Sequence, residues 1–497
     1  MSNGLLHDIN ISDAVQGAAQ MPSIPREAIL DTVPRSALAA TKKIVNLVPI
    51  TSGSVGPNQT IQFLIPQRNL MKAASMYLKF KLEVPNTANA YSFSGLLGSA
   101  AALFNNITLQ AGGVVLESLQ NYHLWHNNVL ANAHQGNDEL AVESLCSGAK
   151  LVNNAGGAFA ADAASTPLNN YVQRVVGYDY QGIQQGGDVG PTFEQTKQFP
   201  GGAKLESIFT IPILSGVFNP KESQLIPLQF INGGILLTFQ TNAVSKAFFE
   251  ATSSLITNYT LSELELCYAE ITPAPEYVLR IREEMMAGKM IKIECQSYQQ
   301  YNVASGSNVR QNFNVNLSSV SSIFWGRVFD PDTTLTSKYF AGFGQDADPN
   351  MRYEIYLDNV MLFNSPNQLN SIAVQVRQLQ EALASSVSDY QVSPMTLGRG
   401  NNKSYTATTL QSPVATTIDN TFYTSNFLWG LSTKLFASNS TSMDGTPIGV
   451  LTVNFQSGNA SLGAGAAREG TTNLWYIYVV YDYIYLVDAT GSVSKNQ

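Results

Sequence analysis

Runs of β-type residues, each closed by Gly, Pro or Asn, recur along most of this chain, and they constrain its fold more than any other feature. Met76 to Val84 is the clearest. Met76, Leu78, Phe80, Leu82 and Val84 fall on one side, and Lys79, Lys81 and Glu83 on the other. That period of two predicts a half-buried strand. Ile44 to Ile50 and Ile61 to Ile65 precede it, the second stopped by Pro66. Ile107 to Leu109 leads through Gly112-Gly113 into Val114 to Leu116, which reads as strand, tight turn and return. Strands are also expected at Ser207 to Leu214, Leu225 to Phe230, Gly234 to Thr241 and Leu261 to Ile271.

After Pro273 and Pro275 the same programme runs again. Tyr277 to Met286 reads as a short helical connector. Strands follow at Met290 to Tyr298, Phe313 to Val328, Tyr353 to Phe363, Phe427 to Phe436, Val450 to Gln456 and Leu474 to Val487. Each half also carries one helical stretch. Leu116, Leu119, Tyr122, Val129 and Leu130 are spaced helically between Leu116 and Ala133. Ile372, Val376, Leu379 and Leu383 form an amphipathic stripe in the second half. The halves even share wording: Gly234-Ile-Leu-Leu-Thr-Phe-Gln-Thr241 resembles Gly449-Val-Leu-Thr-Val-Asn-Phe-Gln-Ser457, each after a Pro-containing turn at Pro227 or Pro447. Two copies of one β-sandwich explain this more simply than two unrelated β-domains. The chain therefore divides into an N-terminal arm (1–40), a first sandwich (41–273), a connector (274–289) and a second sandwich (290–497). A Gly-, Ala-, Asn- and Gln-rich stretch at about 147–203 reads as an exposed excursion from the first sandwich, and 386–415 as a polar loop of the second.

Charge is sparse. Charged residues make up 13% of the 497, against a usual ~25%, while hydrophobic residues reach 44%. Asn, Gln, Ser, Thr and Gly fill the gap. Such a surface is cheap to desolvate and suits a protein covered largely by copies of itself. A net charge of -8 argues against whole-molecule attraction to nucleic acid or anionic lipid. Three cysteines, Cys146, Cys267 and Cys295, exclude a disulfide scaffold, and no C-x-x-C pair is present. The first residues lack the basic stretch and apolar core of a secretory signal, and no run of about 18 apolar residues suggests a membrane span. Without a secretory route, triplets such as Asn106 to Thr108 carry no meaning as glycosylation sites.

Chemistry is equally sparse. His123, His126 and His134 would lie near one face if the first helix continued, a spacing thinkable for zinc or nickel. The segment around them is rich in amides and offers no acidic ligand, so they read as helix-surface or interface histidines. Asp346-Ala-Asp348-Pro-Asn350 opens like a calcium loop, but Met351 stands where glycine is needed and Leu357 where glutamate is needed, so it reads as a polar turn. Gly463-Ala-Gly465 fails as a dinucleotide fingerprint, since Arg468 occupies the third glycine position. P-loop, H-E-x-x-H and G-x-S-x-G motifs are absent. The aromatic run from Trp475 to Val487 lacks the interleaved Arg or Lys of a base-stacking surface, and its two apolar faces fit a central buried strand. No catalytic, cofactor-binding or metal residues are assigned, and no enzymatic activity is expected.

Together these pieces resemble a known family. Phe104-Asn-Asn-Ile-Thr-Leu-Gln-Ala-Gly-Gly-Val-Val-Leu-Glu-Ser-Leu-Gln-Asn-Tyr-His-Leu-Trp-His126 is similar to a strand, double-Gly turn and helix of the double jelly-roll major capsid proteins of tailless icosahedral DNA viruses. That lineage includes adenovirus hexon and the capsid proteins of virophages, large DNA viruses and membrane-containing bacteriophages. Ile211 to Pro220 with Gln224 to Phe230, and the ending Val480 to Ser492, resemble further stretches of it. The resemblance spans about 41–490. The arm and the 147–203 stretch match nothing in it.

The resemblance implies an all-β fold of two tandem eight-stranded jelly-roll sandwiches, each with a short helix and long loops. It also implies a homotrimer whose six sandwiches form a pseudo-hexagonal block of a virus shell, assembled inside the host cell. Implied partners are further copies of the chain, minor capsid and penton proteins, and a membrane under the shell, with the arm and its Arg26, Arg35, Lys42 and Lys43 directed inward; specific nucleic-acid binding is not implied. The competing expectation is a virion spike or a receptor- or carbohydrate-binding β-sandwich.

Overall fold

A computed structural model describes residues 40–51, 53–85, 91–93, 99–129, 146–147, 205–218, 225–250, 256–304, 308–328, 343–344, 352–362, 367–368, 377–383, 428–434, 445–456 and 474–496. The arm short of Ala40, nearly all of the 147–203 stretch, the 386–415 loop, Ile372 and Val376, His134, Asp346 to Met351 and the Gly463 to Gly470 segment lie outside them.

The first half is a two-sheet sandwich built on eight longer strands: β1 (Ala40–Leu47), β2 (Thr60–Ile65), β3 (Leu70–Val84), β4 (Phe104–Ala111), β5 (Val114–Leu119), β6 (Leu205–Pro212), β7 (Ile235–Thr241) and β8 (Thr260–Pro273). Short strands at Tyr91–Phe93, Leu225–Ile226 and Phe248–Glu250 accompany them. One sheet runs β1-β8-β3-β6 and the other β2-β7-β4-β5. Every one of these pairings is antiparallel. Apart from the β4–β5 hairpin, consecutive strands thus alternate between sheets, which is the jelly-roll arrangement. The alternation read in the sequence appears directly: Met76, Leu78, Phe80, Leu82 and Val84 are buried. Phe80 from one sheet meets Phe104 from the other at 5.6 Å, and Phe104 meets Phe239 at 5.5 Å, so aromatic edges fill the space between the sheets.

α1 (Tyr122–Leu124) follows β5 and α2 (Pro275–Met286) follows β8. Pro275 at the first helical turn costs α2 no hydrogen bond. Val278, Ile281 and Met285 turn toward the core at helical spacing.

The second half uses β9 (Ile291–Ala304), β10 (Asn308–Val328), β11 (Arg352–Leu357), β12 (Val360–Met361), α3 (residues 377–383), β13 (Trp429–Ser432), β14 (Thr446–Gln456), β15 (Leu474–Val487) and β16 (Val493–Asn496). Its strands are hydrogen-bonded into one continuous sheet because β10 serves twice. Residues 308–314, Leu317 and Val320 of β10 pair with β14, whereas Val320 and 322–328 pair with β15, and Ser322 to Trp325 also with β13. Register shifts between Asn314 and Leu317 and between Leu317 and Val320 separate the two legs, and Asn316 takes φ 49°. Asparagine tolerates this left-handed conformation, so the strand bends there.

With β10 counted as two legs, the sheets are β9-β15-β10-β13 and β10-β14-β11-β12. Position by position this is the order of the first half. The similar stretches beginning at Gly234 and Gly449 form β7 and most of β14, which hold the same place in their sandwiches. The fold is therefore two tandem jelly rolls. The Trp475 to Val487 run is β15, set between β9 and β10 as a central strand, as expected. Phe455 on β14 stacks on Trp475 at 4.4 Å, again joining two sheets.

Three details depart from the sequence reading. Leu116 and Leu119, spaced like helix positions, lie on strand β5. The helical segment starts only at Tyr122 and widens into a π-turn at Trp125–Val129. Leu225 to Phe230 is strand only at Leu225–Ile226, because Pro227 breaks the ladder and a 3₁₀ turn follows. The expected strand Tyr353 to Phe363 is, over its described residues to Leu362, a hairpin rather than one strand. Asp358 and Asn359 take φ 49° and 68° between β11 and β12, matching Gly112 and Gly113 at 56° and 82° between β4 and β5.

Candidate assembly surfaces

The two jelly rolls meet along a built seam. On the first side stand β5, the turn after it and α1. On the second stand edge strand β9 and its neighbour β15. Trp125 stacks on Tyr298 at 4.4 Å and also meets Tyr478 at 5.3 Å and Phe324 at 6.1 Å. Asn121 Nδ2 donates to Gln300 Oε1 at 2.6 Å, and the Tyr298 hydroxyl donates to the Gln120 carbonyl at 3.2 Å. The Tyr485 hydroxyl donates to the Leu116 carbonyl. At the far end, Asn232 N–H donates to the Gly491 carbonyl at 2.9 Å. One apolar core runs through both rolls.

Glu117 is the centre of this seam. It is buried, and its carboxylate accepts from Gly216 N–H at 2.9 Å, from Val217 N–H at 3.5 Å and from the Ser297 hydroxyl of the other roll. Burial pushes its carboxyl above the usual range, although the bonds from Ser297, Gly216, Ser215 and Val217 pull the other way. Lys495 on β16 lies near, its ammonium 4.5 Å from the Tyr483 ring centre and 3.0 Å from the Tyr481 hydroxyl. Gly216 permits the approach: a Cβ there would stand 2.2 Å from the Gln296 carbonyl oxygen.

A second polar brace lies within the first roll. Glu270 on β8 receives Lys43 at 3.1 Å, Arg68 at 2.8 Å and Asn69 at 2.6 Å. Its side chain is covered by solvent-facing Lys43 and Arg68, so burial raises its carboxyl only in part. The bonds from Asn69 and Lys43 and the charge of Arg68 outweigh that and hold it low.

Of the expected histidines, the two described ones, His123 and His126, are not on a helix surface. His123 and His126 are both buried, because the chain turns inward at Tyr122. His126 lies in a polar core cluster in which the Ser99 hydroxyl donates to Asn127 Oδ1 at 2.6 Å and His126 Nδ1 stands 3.2 Å from the same oxygen. His123 Nδ1 has no hydrogen-bond partner. Burial, helped by Lys246, holds its imidazole down at about 3, so it stays neutral near pH 7. Among the described residues no three His, Cys, Asp or Glu side chains converge in a way that could hold a metal ion. Cys267 and Cys295 are buried free thiols and Cys146 is an exposed one. Among the described residues no helix is long and apolar enough to cross a membrane.

Sequence reasoning missed Glu117 and Trp125 as seam residues. The available signal was a lone carboxylate within the apolar strand Val114-Val-Leu-Glu-Ser-Leu119 of a charge-poor chain.

Large apolar side chains reach solvent in several places among the described residues, including Ile44, Val48 and Ile50 along and just past β1, Val114 and Val115 at the start of β5, Tyr277, Leu279, Met286 and Met290 on and after α2, and Val360 and Leu362 at the β11–β12 hairpin.

No protein-family model matches the sequence, and no curated protein matches it. Solved structures do. The chain is similar to the VP54 protein of PBCV-1, as fitted into a reconstruction of the virophage Sputnik, with TM-score 0.55 and 11% identity over 94% of this chain and 99% of that one. It is similar to the Sputnik virophage structure, with TM-score 0.54 and 11% identity over 96% and 93% of the two chains. It is also similar to the mavirus major capsid protein, with TM-score 0.53 and 11% identity over 96% and 95%.

Proposed function

We propose that this chain is a major capsid protein: a structural, non-catalytic component of an icosahedral virion whose copies associate to tile the shell. The observation that carries the reading is the strand order repeated twice in one chain, on a fold shared end to end with capsid proteins.

The physics of the fold serves such a role. A shell component must be stiff, and the Glu117–Trp125 seam fixes two sandwiches as one block. Three blocks give six sandwiches around a near six-fold axis, a shape that fills a hexagonal lattice. Closure of three copies requires a heterologous interface, one patch against a different patch on the neighbour, and two similar but unequal rolls supply unlike patches. Low charge reduces the desolvation cost of the large areas buried in a permanent assembly. In this reading the first roll spans 41–273, the connector 274–289 and the second roll 290–497. The arm (1–40) lies on the inner side, toward minor capsid proteins, penton proteins or a membrane, and the stretches at 147–203 and 386–415 face outward or clasp neighbours.

Copy number tests the proposal. Quantitative mass spectrometry of purified particles should find the chain hundreds of times per particle, as the dominant protein. A few copies, confined to the vertices, would mean a spike or receptor-binding protein instead.

A further inference from the structure

The connector helix α2 carries apolar side chains on more of its surface than the rolls cover. Val278, Ile281 and Met285 pack on the core. Leu279 and Met286, seven residues and about two turns apart, form a separate line that faces solvent, 57% and 79% exposed. Tyr277 and Met290 are exposed near its two ends. An apolar line left bare in this way marks a contact surface.

Where the chain enters the fold points to what covers that line. β1 begins at Ala40, and Ala40 is paired with Pro273, two residues before Pro275 opens α2. The N-terminal arm therefore joins the fold beside the first turn of the helix. Its last stretch, Ile29-Leu-Asp-Thr-Val-Pro-Arg-Ser-Ala-Leu38, supplies Ile29, Leu30, Val33 and Leu38. Reach is sufficient. The 12 residues of α2 rise about 18 Å. Extended chain from Val33 to Ala40 spans up to about 23 Å. A segment tethered so close meets the helix at an effective concentration of about a millimolar, which few free partners match. Charge favours the same occupant. The exposed charged residues of α2 are of both signs, Glu276, Arg280, Arg282 and Glu283, and so are Arg26, Glu27, Asp31 and Arg35 of the arm. A helix made for an anionic lipid surface would carry mainly Lys and Arg on its polar face.

We infer that residues 29–38 of the arm dock on the outer line of α2, against Leu279 and Met286 of the same chain. The arm is then tied to the connector between the two rolls, and residues 1–28 are left for contacts beyond the chain. The docking belongs to a single chain, so it holds whatever the chain assembles into.

Methionine oxidation reads the contact, because peroxide oxidises an exposed thioether and spares a covered one. Three proteins are compared by peptide mass spectrometry: the full chain, residues 40–497, and the full chain carrying Ile29→Asp, Leu30→Asp and Val33→Asp. Met286 should be oxidised at least ~5-fold more slowly in the full chain than in the other two. The triple variant keeps every residue of the fold, so the comparison survives if the truncated chain folds poorly. Equal rates at Met286 in the full chain and the triple variant would overturn the docking. Protection of Met286 that appears only when phosphatidylserine vesicles are added would overturn it in favour of a lipid surface. A photo-cross-linker at the same position identifies the occupant. With p-benzoylphenylalanine in place of Met286, the full chain should cross-link to residues 29–38 and keep the mass of one chain. Cross-links to a second chain, or to other segments of the same one, would overturn the proposal.

Discussion

Glu117 receives donors from both rolls, so its replacement separates chemistry from shape. Glu117→Leu leaves Gly216 N–H and the Ser297 hydroxyl buried without an acceptor and should destabilise the fold by about 2–4 kcal/mol. Glu117→Gln keeps an acceptor oxygen for both and should cost about 1 kcal/mol or less in denaturant titrations. Because burial raises the folded pKa of Glu117, its contribution is present in full below about pH 4.3 and is lost as pH rises through the folded value. The Gln variant should flatten that decline. His123 acts in the opposite sense. Its folded pKa, about 3, lies below the free value of about 6.5. Stability from keeping it neutral is therefore present above about pH 6.5 and drains away as pH falls toward 3. Melting temperatures of His123→Leu should fall less than wild type between pH 6 and pH 4. An equal fall in both would show that other groups govern acid sensitivity. Neither residue's environment was legible beforehand. Glu117 and Ser297 are 180 positions apart, and the burial of His123 follows from a chain reversal that helical spacing does not encode.

Among the elements, strands with one buried face or two were legible as strands: the period of two found Met76 to Val84, although that strand begins at Leu70, and the doubly apolar run found Leu474 to Val487 to the residue. Elements failed to show where one pattern serves two structures. Leu116 and Leu119 fit a helix stripe and a bulged strand equally, and in β10 the alternation of Phe313, Val315 and Leu317 changes parity at Val320 with no Gly or Pro to mark the bend, so it reads as one strand. The register shift between Leu109 and Gln110 is what brings two leucines three apart to buried positions. The seam itself makes an element-scale prediction. Gly216→Ala would drive a methyl into the Gln296 carbonyl, and Trp125→Ala would empty the stack on Tyr298, at a cost of about 3–5 kcal/mol for the tryptophan. Both variants should uncouple the rolls. Denaturant unfolding should change from one transition to two, with a smaller slope for each. A single transition of unchanged slope would mean that the rolls are coupled by other contacts.

At the scale of the whole molecule, duplication was legible because both halves repeat the same order of strand, helix and strand, and because β7 and β14 share wording. Their docking was not, since it depends on side chains brought together only by the completed fold. Removing residues 1–39, which precede β1, should leave the block and its association intact but impair shell closure in assembly assays viewed by electron microscopy. Loss of folding on that deletion would show that the arm belongs to the first roll. The association state of the purified chain bears most directly on the central claim, that a doubled sandwich is a unit of a closed ring. Native mass spectrometry at micromolar concentration should find three 53.8 kDa chains per particle. A stable monomer under those conditions would contradict the account.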